Sequence, residues 1–370
     1  MMSKKSTTAF ILFCFVIILL AFPNLCINAA QQGLLLWFNK VLPSLLPFMI
    51  LINILVGLDS IKSISNRATF ITYKFWNLPG STLFAFIMGL LAGYPMGGRI
   101  IKELVSSGEL TSQQGEKALC FCNNCGPLFI VGTVGTTILG NVKLGYFLLL
   151  IHILSALITS LLLKPTYPLY PIRSTSLQIA PSSKTLPSLL NEAVAHSMDT
   201  MTCIGGYIIF FSVLAHLITD TLLLQWLFHL PLINQISTTT LQAILTSFLE
   251  LSNGVNALGQ ISSPYALALL AATLAFGGLC VYFQTLYVLE GTHFSTKPYF
   301  FSKCLQAIIS FLLTCVLYPF FSVYTQGTKI VFNHTWSFIL IGFVSSFILL
   351  THFNKNIRSI FTTFKESHRS

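Results

Sequence analysis

Apolar positions run through this chain in long blocks separated by short polar connections. Ten hydrophobic segments can be marked, at about 8–28, 34–58, 75–98, 118–140, 144–163, 197–219, 238–259, 264–290, 302–325 and 333–353. Several contain no charged residue over their whole length, including Phe75–Gly98, Ala118–Val142, Leu144–Leu163 and Leu251–Leu289. A helix of roughly 20 apolar residues crosses a hydrocarbon core about 30 Å thick, so the pattern predicts an all-α polytopic membrane protein. Two of the segments are interrupted. The one at 75–98 carries Gly89, Gly93, Pro95, Gly97 and Gly98, and the one at 238–259 carries Glu250, Asn253, Gly254, Asn256 and Gly259. Broken backbone at membrane depth survives only where protein or a water-filled cavity satisfies it, so both are expected to be re-entrant.

Composition agrees with this reading. Of 370 residues 54% are hydrophobic and 8% charged, against about 25% charged in ordinary soluble domains. The formal charge is +10, yet the basic residues are spread over short loops, which argues for membrane orientation and against nucleic acid. With eight spans, two re-entrant segments and a cytoplasmic N-terminus, 17 of the 20 Lys and Arg residues fall on the cytoplasmic side, Lys303 among them. Lys40, Lys143 and Lys329 fall outside. Ten full spans would move the connections 99–117 and 164–196 to the other face and spoil the positive-inside bias. The stretch after Lys4 and Lys5 is expected to be a retained first span rather than a cleaved signal.

This topology divides the chain into a first helix (1–33), a gate-like repeat (34–163), a Pro- and Ser-rich cytoplasmic linker (164–189), a second repeat (190–325), and a last helix with a basic cytoplasmic tail (326–370). Each repeat reads as span, broken segment, span, span. Three crossings per repeat invert the second relative to the first, an arrangement that puts a transporter's site at the repeat interface.

Three motifs offer chemistry. Gly93-Tyr94-Pro95-Met96-Gly97-Gly98-Arg99 opens a helix whose free N–H groups, with Arg99 and Lys102 one turn apart, would attract an anion. Cys122-Asn123-Asn124-Cys125-Gly126-Pro127 sets two amides and a helix breaker inside a span, where they could hold a polar ligand or bond neighbouring helices. Glu250, Asn253 and Asn256 form the third, with Glu250 a lone carboxylate in an uncharged run, either a proton or cation site or the partner of Arg99. Gln284 could line the same cavity. The nine cysteines read mostly as small hydrophobes, and the eight histidines show no pairing, so no metal or other cofactor is expected. Without a P-loop or a nucleophile elbow, nothing points to an enzyme.

The motif at 93–99, the polar stretch Ser107-Gly108-Glu109-Leu110-Thr111 and the run Phe121–Ile130 resemble the sporulation integral membrane protein YlbJ family, departing at Arg99 and Cys125. That family carries nucleoside-recognition gate segments similar to those of concentrative nucleoside transporters. The resemblance implies a protein needed for heat-resistant spores that carries dipicolinic acid from the mother cell across the outer forespore membrane. Tyr94, Gly97, Gly98, Arg99, Lys102, Asn123, Asn124, Glu250, Asn253 and Asn256 are then the expected substrate contacts. The expected partners are a small anion, the lipid bilayer and other sporulation membrane proteins. Two alternatives stay open at this point: a non-transporting sporulation scaffold and a nucleoside transporter.

Overall fold

The computed structural model describes residues 4–57, 60–164, 185–219, 237–263 and 265–324. The last expected span, at 333–353, and most of the linker lie outside them. Two compact units are present, Met1–Phe311 and Leu312–Ser370. Every element discussed below belongs to the first, apart from the end of the final helix.

Among the described residues the secondary structure is entirely helical. Helix α1 (Lys4–Ala21) ends at Phe22, and Pro23 opens α2 (Pro23–Leu36), which continues through a π-helical turn (Trp37–Val41) into α3 (Leu42–Gly57). The sequence pattern puts the connection between the first two spans near 29–33. The chain instead breaks at Phe22–Pro23, because proline lacks the N–H that would carry α1 onward and suits the first position of a new helix. Asn28, Gln31 and Gln32 then ride within α2, which packs closely on α9 (Leu186–Thr219): a Cβ at Gly33 would lie 2.6 Å from Ser212 Oγ. The Trp37 indole donates to the Met201 carbonyl at 3.1 Å.

Helix α4 (Ser60–Trp76) meets α5 (Ser81–Ala92) at an 85° bend through Asn77-Leu78-Pro79-Gly80. There Asn77 takes a positive φ of 54°, which a short amide side chain tolerates. Beyond α5 come α6 (Met96–Ser106), α7 (Ser112–Cys122), a π-helix (Leu128–Ile138) and α8 (Val142–Leu162). A reciprocal capping box between Thr111 and Gln114 starts α7, and the Asn141 side chain caps α8. After α9 follow α10 (Thr238–Leu249), α11 (Leu251–Gly259), α12 (Ala266–Phe276), α13 (Gly278–Val288) and α14 (Lys297–Tyr324).

Five stretches are long and apolar enough to cross a membrane: Pro23–Ile54, Val142–Leu162, Leu186–Thr219, Ala266–Val288 and Lys297–Phe321. The bent pair at Ala68–Ala92 would be a sixth. Breaks are more numerous than the sequence suggests. Both expected re-entrant segments are interrupted, at 93–95 and at Glu250, but so are two segments read as plain spans, at 123–126 and at Gly277.

Candidate substrate site at crossed helix breaks

The four breaks form two crossings. In the first, α5–α6 lies directly against α7 and the π-helix: a side chain at Gly89 or Gly97 would run into the Cys122 carbonyl, and one at Gly93 would come within 2.8 Å of the Gly126 nitrogen. Gly93 also has φ 80°, a backbone state open to glycine at little cost. In the second, Gly254 faces Ser247, and Gly278 lies against the carbonyls of Ser247 and Leu249. The glycines therefore serve contact between backbones, which lets broken helices approach closely in a membrane.

Tyr94 joins the two crossings. It leaves the first break, and its hydroxyl donates to the Ala275 carbonyl at 2.9 Å, at the end of α12 beside the second. The buried ends of half-helices need such partners, since the last carbonyls of a helix have no donor of their own.

The first crossing is held by side chains from α13, α14 and α8. The Asn123 amide donates to Thr285 Oγ1 at 2.9 Å and Tyr299 Oη at 2.8 Å. Its backbone carbonyl accepts from the Lys303 ammonium at 2.8 Å. Gln306 receives a second Lys303 N–H on its amide oxygen and donates to Asn124 Oδ1 at 3.2 Å. The Asn124 amide in turn donates to the Phe121 carbonyl at 2.7 Å. The Cys125 N–H donates to His152 Nε2 at 3.1 Å, so the ring proton resides on Nδ1. Two buried polar atoms of this cluster, Asn123 Oδ1 and His152 Nδ1, have no hydrogen-bond partner.

Lys303 is 2% exposed, so this basic residue is enclosed by protein rather than set in an open loop. It stands near the start of an apolar helix, where charge counting reads a lysine as interfacial, but α14 turns it inward. Tyr299, Lys303, Gln306 and Ser310 recur at the spacing of one helix face, and all four are buried. That stripe is the sequence signal that could have found it, because polar residues on a membrane helix turn toward protein. The ammonium also lies 5.2 Å from the centre of the Tyr94 ring, a favourable cation–π placement.

The second crossing is capped by its own carboxylate. Glu250, 1% exposed, caps α11: its two carboxylate oxygens accept from Ser252 N at 2.9 Å and Asn253 N at 2.7 Å. Asn253 donates from its side chain to Ser212 Oγ at 2.6 Å. Between the crossings lies a cavity of about 40 Å³ whose polar lining is Tyr94, Cys125, Glu250, Ser252 and Gln284, with Gly126 and apolar groups completing it.

The expected contacts therefore separate. Tyr94 and Glu250 line the cavity. Asn123 and Asn124 directly precede Cys125 of its lining, but the Asn123 amide bonds α13 and α14, and Asn124 bonds its own helix and Gln306. Gly97 and Gly98 are buried packing positions, the latter against Thr285 and Val288. Arg99 does not meet Glu250: it pairs with Glu103 at 3.2 Å and donates to Thr200 Oγ1 at 3.2 Å. Lys102 donates to the Glu290 carbonyl at 2.6 Å in an exposed position. Asn253 and Asn256 line a separate polar cleft of about 1050 Å³. Among the described residues no group of three or more His, Cys, Asp or Glu could hold a metal ion.

No protein-family model matches the chain. No solved structure matches it. Sporulation integral membrane protein YlbJ of Bacillus subtilis (strain 168) is 26% identical over 336 residues, covering 84% of this chain and 82% of that protein. Its name and the apolar helices together describe a multi-pass integral membrane protein. The chain is thus similar, over most of its length, to that sporulation integral membrane protein.

Proposed function

We propose that the protein is a transporter of a small organic anion, dipicolinate, moved from mother cell toward forespore across the outer forespore membrane, and that it performs no covalent chemistry. One observation carries this reading: Lys303 is a buried cation with no carboxylate against it, since the ion pair found among the described residues is Arg99–Glu103. An ionisable group inside a membrane protein is costly and usually functional. Its hydrogen bonds to the Asn123 carbonyl and Gln306 can be exchanged for a substrate carboxylate, and a charged acceptor forms the stronger bond. Tyr94, which lies beside the ammonium and also lines the cavity, offers an aromatic ring to a flat substrate. The cavity has space for about three waters, so a dianion of that size requires the crossings to move apart, as alternating access would do.

The wider plan supports the reading. Two crossings of broken helices in successive halves suit eight spans arranged as an inverted repeat around a midplane site, with both termini cytoplasmic. Uptake of radiolabelled dipicolinate into proteoliposomes tests it. Wild-type protein is expected to show saturable uptake, and Lys303→Met none despite normal reconstitution. Wild-type uptake equal to that of empty vesicles would sink the transport reading and favour a scaffold role. A thermal shift of the protein with uridine and none with dipicolinate would assign the site to nucleosides.

A further inference from the structure

Glu250 is the electrostatic counterpart of Lys303 and needs a ligand of the opposite sign. Its carboxylate is buried, it lines the cavity, and among the described residues no cation pairs with it. A carboxylate has about four lone-pair positions, of which two accept the N–H groups of Ser252 and Asn253. The Ser252 hydroxyl also engages it, and the capacity left over is open to a ligand in the cavity that Glu250 lines. The groups around it are of matching character. Gln284 directs its amide nitrogen to Cys280 Sγ at 3.2 Å, which leaves its amide oxygen as an acceptor, and Ser252 supplies a hydroxyl. No Lys, Arg or His lines the cavity. The buried cation among the described residues, Lys303, lies beside the Tyr94 ring and is engaged with the other crossing.

Oxygen donors with one formal negative charge suit a small hard cation, and a single carboxylate suits a monovalent one better than calcium, whose sites gain affinity from added ligand charge. The volume of about 40 Å³ admits one such ion with one or two waters. A bare dianion would meet only repulsion from Glu250 in the same space. We propose that Glu250, Ser252 and Gln284 form a sodium site, loaded together with the anion so that the cation gradient drives transport. Loading with the anion rests on the transport reading; the cation site does not.

Equilibrium binding of radiolabelled sodium to the full chain in nanodiscs decides it. Saturable binding is expected in wild type, displaced by unlabelled sodium and not by choline, lost in Glu250→Gln and retained in Glu103→Gln. Ser252→Ala, which keeps the carboxylate and the backbone cap, is expected to weaken binding while leaving the size-exclusion profile unchanged. This guards against a Glu250 variant that fails to fold. Absence of saturable sodium binding in wild type overturns the proposal, as does binding that survives Glu250→Gln. Proton uptake on adding dipicolinate, without sodium binding, overturns it in favour of proton coupling. Dipicolinate uptake without sodium binding removes the cation site and leaves the transporter standing; sodium binding without dipicolinate uptake does the reverse.

Discussion

The two crossings use the same backbone device and opposite electrostatics. At the first, the broken strand of chain from Asn123 to Gly126 is secured from outside: Lys303 and Gln306, about 180 residues away, hold its carbonyl and side chain. At the second, Glu250 caps the helix that follows it, and the nearest contacts of Gly278 are carbonyls at the end of α10. One crossing is thus a long-range assembly around a positive charge, and the other a local turn around a negative one. Damage to the first should spread through several helices, whereas damage to the second should stay near the cavity.

Substitutions can break this contrast in graded steps. Lys303→Met is expected to have the largest effect. It leaves the Asn123 carbonyl and the Gln306 oxygen without donors, at about 1–3 kcal/mol for each buried acceptor, and should lower the thermal midpoint as well as abolish uptake. Gly97→Ala comes next, since its Cβ would lie 2.6 Å from Asn123 Cα. Overpacking of this kind costs about 1–3 kcal/mol, and the matching Gly254→Ala at the second crossing tests whether both contacts are equally unforgiving. A Gly97→Ala protein with wild-type melting would show that the crossing can open without loss.

Glu250→Gln should be milder for stability, because the amide oxygen still accepts one of the two cap bonds; a loss of about 1 kcal/mol is expected, with uptake no longer answering to sodium. The smallest effect is expected at Arg99. Its i,i+4 pair with Glu103 is worth about 0.3–0.5 kcal/mol, so Arg99→Gln should melt close to wild type and retain uptake. Lost dipicolinate binding in that variant would move the anion site to α6 and break the assignment to Lys303.

Much of this arrangement could be read from residue order, and the failures have physical causes. Glycines at 89, 93 and 97, Pro95, the two asparagines and Glu250 announce themselves because each is expensive in an apolar helix. Gly277-Gly278 carries no such mark. An αL glycine and a packing glycine look the same in one sequence, and the break appears only when φ of 83° is seen. Lys303 was missed for a different reason. Its burial depends on a carbonyl freed by a break in another helix, and a charge count over loops has no access to that partner. The start of α2 shows a third limit: the apolar run continues past Phe22, so Pro23 alone marked the boundary, against a hydropathy pattern that favoured a later one.

Tyr94 gives the two crossings a mechanical relation. Its ring is wedged beside Lys303 while its hydroxyl grips the end of α12, so a single phenol works as a tie rod between the two pivots, alongside the Asn123–Thr285 bond. Pull on one pivot and the other must either turn with it or release the rod. Tyr94→Phe, which keeps the wedge and cuts the grip, would loosen one pivot from the other, and leak with weakened coupling is the behaviour such a machine should then display.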